Sequence, residues 1–330
     1  MMEILLASLA FIASLLLAGV MGFAIQRGAT CTVAAVGEMV EKRRGRRLLA
    51  MIEASVWVAG GLVIVHSLHL LGRMPAGYPV NALTVLGGVL LGLGAFINGA
   101  CVFGAIARLG SGEWAYAVTP LGFYTGCLLL NGALPPAMLR QLAHGSLVLQ
   151  APPWLALAFI VFMLWRLGRP LVAAWRQGSL RVTLAQRAWA PHAATTVIGI
   201  AFFFMLMLVG AWAYTDVLMD LARSMMAGSL LARCLLLVAL LLGAILGGWT
   251  AGKLGSSRVS VTKLATCFLG GMLMGAGSLL IPGGNDGLIL VGMPLLWPYA
   301  WVAFATMCIS IAAAMLVWNA IAHPVAGQEA

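Results

Sequence analysis

Residues 87–104 read GGVLLGLGAFINGACVFG, and residues 270–287 read GGMLMGAGSLLIPGGNDG. One phrase thus stands in both halves of the chain. Gly87, Gly88, Gly92, Gly94 and Gly104 answer Gly270, Gly271, Gly275, Gly277 and Gly287. Cys101 of the first copy falls where the second has Gly284. A weaker echo, GVMGFAIQRGATC from Gly19 to Cys31, aligns Gly22 with Gly92 and sets Cys31 where Cys101 stands. A duplicated, glycine-rich, cysteine-bearing segment in an apolar chain points to two repeated halves whose broken helices meet at a central site.

Composition leaves lipid as the solvent. Of 330 residues, 62% are hydrophobic and 8% charged, against about 25% charged in a soluble domain. No water-soluble fold covers that much apolar surface, so an all-α polytopic membrane bundle is expected, its backbone groups satisfied within helices. The opening apolar run has neither a basic n-region nor an A-x-A cleavage site, and reads as a retained span.

The net charge of +10 is gathered into short loops. Lys42, Arg43, Arg44, Arg46 and Arg47 form one cluster. Arg166, Arg169, Arg176, Arg181 and Arg187 form a second, and Lys253, Arg258 and Lys263 a third. This is the pattern of cytoplasmic loops, not of a nucleic-acid footprint. Glu38 and Glu41 precede the first cluster at helical spacing and are expected to pair with it.

Apolar stretches near the roughly 20 residues of a full crossing fall at 4–25, 48–71, 115–132, 193–213, 229–250 and 299–321. Segment 153–167 is short. Segments 82–108 and 263–296 are too long for one straight crossing and too rich in glycine for continuous helices, as is the run through Gly28 to Val40. These are expected to be discontinuous or re-entrant. The chain divides into a first half, 1–165, a basic linker, 166–190, and a second half, 191–330, all within one membrane domain.

Two cysteines stand out by position. Gly28 can end one helix, Thr30 can cap the next, and Cys31 then falls in its first turn. Helix N-termini present free N–H groups to anions, and Arg27 adds a full charge nearby. Around Cys101, Asn98 and Gly99 supply a similar break. A thiol in dry, apolar surroundings stays neutral and can donate a weak hydrogen bond to a soft anion. Packing beside glycines explains the same two cysteines equally well. Cys127, Cys234, Cys267 and Cys308 lack the repeat context and read as packing residues.

The third element, Pro282, Gly283, Gly284, Asn285 and Asp286, gives a sharp break with two capping residues and no thiol. If the cargo is the one that suits the sister repeat's cysteine, a thiol at Gly284 is expected to fit; if the cargo has changed, it is expected to narrow the route. Asp286 is a candidate for function because it is an acid within the membrane, and equally a cap for the half-helix that follows.

Weaker features read as structural. His66 and His69 lie at the end of a span without a second histidine pair, the methionines as core filler, and Asp216 and Asp220 as interfacial. Trp154, Trp165, Trp297, Trp301 and Trp318 suit aromatic belts. No metal or cofactor is called for, no P-loop is present, and an intramembrane persulfide enzyme would need a thiolate that a dry site disfavours.

At Gly22, Phe23, Arg27 and Cys31, in the glycine run ending at Cys101, at Arg108-Leu109-Gly110-Ser111-Gly112, at Leu241–Gly248 and at Gly270–Gly277, the chain resembles the YeeE/YedE family of bacterial inner-membrane sulfur-transport proteins. The resemblance implies a thiosulfate-type permease, not an enzyme, with re-entrant helices of two pseudo-symmetric halves meeting at a narrow centre. It implies a small sulfur-containing anion relayed past membrane thiols, two of which carry over to Cys31 and Cys101. The third is replaced by Gly284. Lipid and a soluble sulfurtransferase on the cytoplasmic side are the implied partners. Another cargo on the same fold, such as a selenium compound, or a non-transport subunit of a sulfur or redox system, is the alternative.

Overall fold

The computed structural model describes residues 2–72, 74–131, 141–142, 145–176, 186–223, 230–255 and 257–322, excluding the side chains of 2–7 and 169–176. Arg73, Arg181 and the tail from His323 lie outside the described residues, as do the side chains of Arg169 and Arg176. Among the described residues there is no strand.

In the first half, α1 (Met2–Gly28) and α2 (Thr32–Lys42) are separated by a three-residue break, and α3 (Arg46–Ser67) follows. Helices α4 (Ala82–Asn98) and α5 (Val102–Gly110) are separated in the same way, and α6 (Val118–Asn131) closes the half. After α7 (Pro153–Arg176), the order recurs. Helices α8 (Pro191–Val209) and α9 (Tyr214–Ala222) form a broken pair, and α10 (Leu230–Thr250) is continuous. Helix α11 (Val261–Leu280) is followed by the short α12 (Asn285–Gly287), which runs on as a π-turn over Leu288–Gly292, and α13 (Pro298–Ala322) ends the fold. Among the described residues, seven helical segments are long and apolar enough to cross a bilayer.

Two sequence expectations need correction in their bounds. The apolar stretch 193–213 is not one helix: α8 stops at Val209, Gly210 turns the chain at φ +84°, and a new helix starts at Tyr214. Glycine takes that positive φ without the Cβ clash other residues suffer. The stretch 115–132 holds the 3-10 turn Trp114–Ala117, which runs directly into α6, described to Asn131. The linker expected from 166 begins inside α7, which continues to Arg176. Pro170 removes one intrahelical hydrogen bond, and the helix-compatible run from Leu171 to Trp175 carries the helix beyond it.

The glycines of the repeated phrase explain how the bundle closes. Between α4 and α11 they face each other in antiparallel register. A Cβ on Gly87 would come 2.7 Å from the Gly277 carbonyl oxygen, and one on Gly94 2.6 Å from that of Gly270. Gly88 and Gly92 lie equally close to the α13 carbonyls of Ala303 and Met307, at 2.8 and 2.6 Å. Gly271 and Gly275 meet α6 at Thr119 and Phe123. In lipid, where apolar burial does not drive helices together, such close backbone approach supplies the packing.

Helix α1 packs on α8 and α10, and α3 packs on α8. Trp154, Trp165 and Trp318 are exposed, as belt residues should be. Trp297 departs from that expectation: it is 3% exposed, and its Nε1–H donates to the Pro75 carbonyl at 3.3 Å.

Candidate functional site

The four breaks leave four helix starts, at Thr32, Val102, Tyr214 and Asn285, and hydrogen bonds tie these starts together. The Thr32 N–H donates to Cys101 Sγ at 3.0 Å, and the Cys101 N–H to Cys31 Sγ at 3.5 Å. Thr32 Oγ1 donates to Asn285 Oδ1 at 3.3 Å. Asp286 accepts from both the Thr215 hydroxyl and, at 3.2 Å, the Thr215 N–H. Each helix start carries orphan N–H groups and a partial positive charge, and the Asp286 carboxyl stands among them.

Helix caps differ from expectation by one residue. Cys31, rather than Thr30, is the N-cap of α2, and Cys101 is the N-cap of α5; neither makes a side-chain capping bond. Both have extended backbone, the conformation that brings an N-cap side chain back beside the free N–H groups of its own first turn. Gly284 holds the corresponding N-cap position of α12. Asp286, in the first turn of the same helix, is also bonded outside it. Its carboxylate reaches across to the first turn of α9, whose N-cap, Ala213, has no side-chain acceptor.

Two cavities approach this centre from opposite ends of α4 and α11. The first, about 510 Å³, lies at the C-terminal end of α4 and is lined by Cys31, Gly104, Lys42, Arg47, Arg108 and Lys253, among others. Glu38, Glu41 and Glu113 also line it; Glu38 is paired with Arg47 at 3.2 Å and Glu113 with Arg108 at 3.0 Å. The second cavity, about 380 Å³, lies before the start of α4 and beyond the end of α11, against Tyr78, Asp216, Pro282 and Gly287. Cys101, Thr32, Asn285 and Asp286, none more than 2% exposed, lie between the two.

Gly104 makes the position of Cys31 possible. A Cβ there would collide with the thiol and come 2.9 Å from Cys31 Cβ. At the third element the space is already taken. A Cβ on Gly284 would collide with Thr215 Oγ1 and lie 2.7 Å from Thr215 Cβ and 2.8 Å from Cγ2. A thiol at Gly284 therefore requires Thr215 to move.

Arg27 is 2% exposed. Its guanidinium donates to the Gln186 carbonyl and, at 2.8 Å, to Thr250 Oγ1, and lies over the Phe23 ring. It clasps the segment after α7 to the end of α10, beside the basic cavity. Residues of all three basic clusters meet at this end, since Lys42, Arg47 and Lys253 share the cavity and Arg187 approaches Gly252. Tyr116 lies between Arg108 and Lys263, at 5.3 and 4.4 Å, and burial pushes its phenol up so that it stays neutral.

Cys127, Cys267 and Cys308 are buried in the core, and Cys127 donates to the Gly275 carbonyl at 3.4 Å. His66 and His69 stand at the end of α3, and no metal-binding group of three His, Cys, Asp or Glu forms among the described residues. Asp216 lines the second cavity from the first turn of α9 instead of sitting at a span end. Thr32, Tyr214 and Thr215 went unread in the sequence. The one local signal for the last two is Gly210 interrupting an apolar run ahead of Thr215-Asp216.

Long apolar helices around two opposed cavities define a multi-pass helical membrane protein. Comparison with protein families then places it: the model described as sulphur transport, the YeeE/YedE family, matches residues 27–313, and the chain belongs to that family. It is accordingly a sulfur-related membrane transporter. No curated protein matches the chain.

Proposed function

We propose that this chain is a permease of the bacterial inner membrane that imports a small, thiosulfate-like, sulfur-containing anion. The observation that carries this is the direct contact of Cys31 and Cys101 at two helix N-termini between opposed cavities. A neutral thiol donates weakly to a soft sulfur without charge repulsion, and the surrounding helix starts stabilise the negative charge. The anion moves from the second cavity past Asn285 and Cys101 to Cys31, and leaves through the basic cavity. The buried Asn285 Nδ2 has no partner and supplies a further donor on that route. Thr215 holds both carboxylate oxygens of Asp286 and so turns its charge from the path. No covalent step is needed.

The two series α1/α2, α3, α4/α5, α6 and α8/α9, α10, α11/α12, α13 are, in this proposal, pseudo-symmetric halves. The cytoplasmic face is the end where the basic clusters gather, and a soluble sulfurtransferase would receive the anion there. Arg27 acts by holding the segment after α7 against that mouth.

Growth of a sulfur-auxotrophic bacterium expressing the chain, on several sole sulfur sources, tests the proposal. Growth on thiosulfate that is lost in Cys31→Ala is expected. Growth on another source alone would refute thiosulfate as cargo. Thr215 in the place of a third thiol gives specific support to a different cargo on the same fold, and selenium compounds belong in the same assay as competitors.

A further inference from the structure

We infer that Arg223 is the cation that receives the anion at the outer cavity, an inference that rests on the anion-permease proposal above. The cavity of about 380 Å³ is lined by two arginines, Arg223 and Arg233, and two acids, Asp216 and Asp220. Arg233 is committed to an ion pair with Asp220. Arg223 makes no such pair among the described residues, and its Nη2 is buried without any hydrogen-bond partner.

A guanidinium lining a cavity with a buried, unpartnered donor is a costly arrangement unless a ligand completes it. Arg223 follows the last turn of α9, where the negative end of the helix favours a cation. At about 30 Å³ per water, the cavity holds roughly a dozen waters, enough for a tetrahedral oxyanion with part of its hydration shell. The planar fork of Arg matches two oxygens of such an ion, which a lysine ammonium cannot do. Asp216 stands on the same wall system toward Gly287 and makes no ion pair with Arg223. The free charge that first meets an incoming anion is therefore Arg223, ahead of the thiols.

The test uses the full-length protein in nanodiscs, titrated calorimetrically with sodium thiosulfate and separately with sodium sulfate. Arg223→Gln should weaken oxyanion binding at least tenfold, equivalent to about 1.4 kcal/mol. Arg223→Lys should recover part of it, with both variants melting like wild type. In proteoliposomes, Arg223→Gln should raise the half-saturating thiosulfate concentration and leave the maximal rate near wild type. Equal affinity in wild type and folded Arg223→Gln overturns the inference, as does a wild type that binds neither ion. A lower maximal rate at unchanged half-saturation also overturns it, because Arg223 would then serve the fold. Oxyanion binding that depends on Arg223 without any thiosulfate transport would refute thiosulfate as cargo while leaving the outer site standing.

Discussion

Placing a cysteine at Gly284 restores the thiol missing from the repeat, and the structure gives a definite reason why it should fail. The new Cβ meets all three side-chain atoms of Thr215, with 2.7 Å to Cβ and 2.8 Å to Cγ2. Overpacking a filled interior costs about 1–3 kcal/mol. Thr215 can escape only by rotating or shifting, which takes its hydroxyl from Asp286. A hydrogen bond to a charged group is worth about 1.5–3 kcal/mol, so the two effects together approach a large part of a typical folding stability. Gly284→Cys should accumulate poorly, inactivate at lower temperature in detergent and take up less thiosulfate. Gly284→Cys with Thr215→Gly removes the collision and should recover accumulation, though without the hydroxyl. Thermal inactivation of purified protein, read beside uptake in proteoliposomes, separates the two effects. A single Gly284→Cys variant as stable as wild type, with undiminished uptake, would refute the reasoning.

Cys31→Ala and Cys101→Ala should each abolish or strongly reduce uptake while the protein still reaches the membrane, whereas Cys127→Ala and Cys308→Ala should be nearly silent; wild-type uptake by the Cys31→Ala/Cys101→Ala pair would return both thiols to packing. In Asp286→Asn, the amide can accept from the Thr215 N–H and donate to its hydroxyl, so a loss near 1 kcal/mol is expected with uptake and its pH dependence unchanged. An altered pH profile in that variant would make Asp286 a proton acceptor instead. Gly104→Ala should displace the Cys31 thiol and lower uptake more than accumulation, which quantitative blotting and transport on the same membranes will show. Single cysteines introduced at Arg187 and Lys253 should label from the cytoplasmic side and one at Gln141 from the opposite side, and labelling of all three from one face would overturn the assigned topology.

Patterns confined to neighbouring residues were legible in the sequence. Glycines at 28 and 99 marked two breaks, and these put Cys31 and Cys101 within a residue of their observed cap positions. The repeated phrase marked the helices that pack at the centre. The fourth break escaped because Gly210-Ala-Trp-Ala-Tyr is nearly as apolar as the helix before it, so neither hydropathy nor charge falls there. The tie of Asp286 to Thr215 was not legible, because capping rules look a few residues along the chain and Thr215 comes from another helix. Thr215 filling the space beside Gly284 is likewise a contact between distant segments, which no local pattern encodes.

The facing glycines of α4 and α11 also have a mechanical consequence. Where Gly87 meets Gly277 and Gly94 meets Gly270, each backbone is the other's bearing surface. Advancing one helix by a single residue would bring Leu93 or Ala95 to the place of Gly94, and there is no slack to receive a side chain. The pair behaves as one stiff beam through the middle of the protein. In the permease proposed above, displacement during a transport cycle is then expected in the short connections at its ends, residues 99–101 and 281–284, and in the side chains they carry.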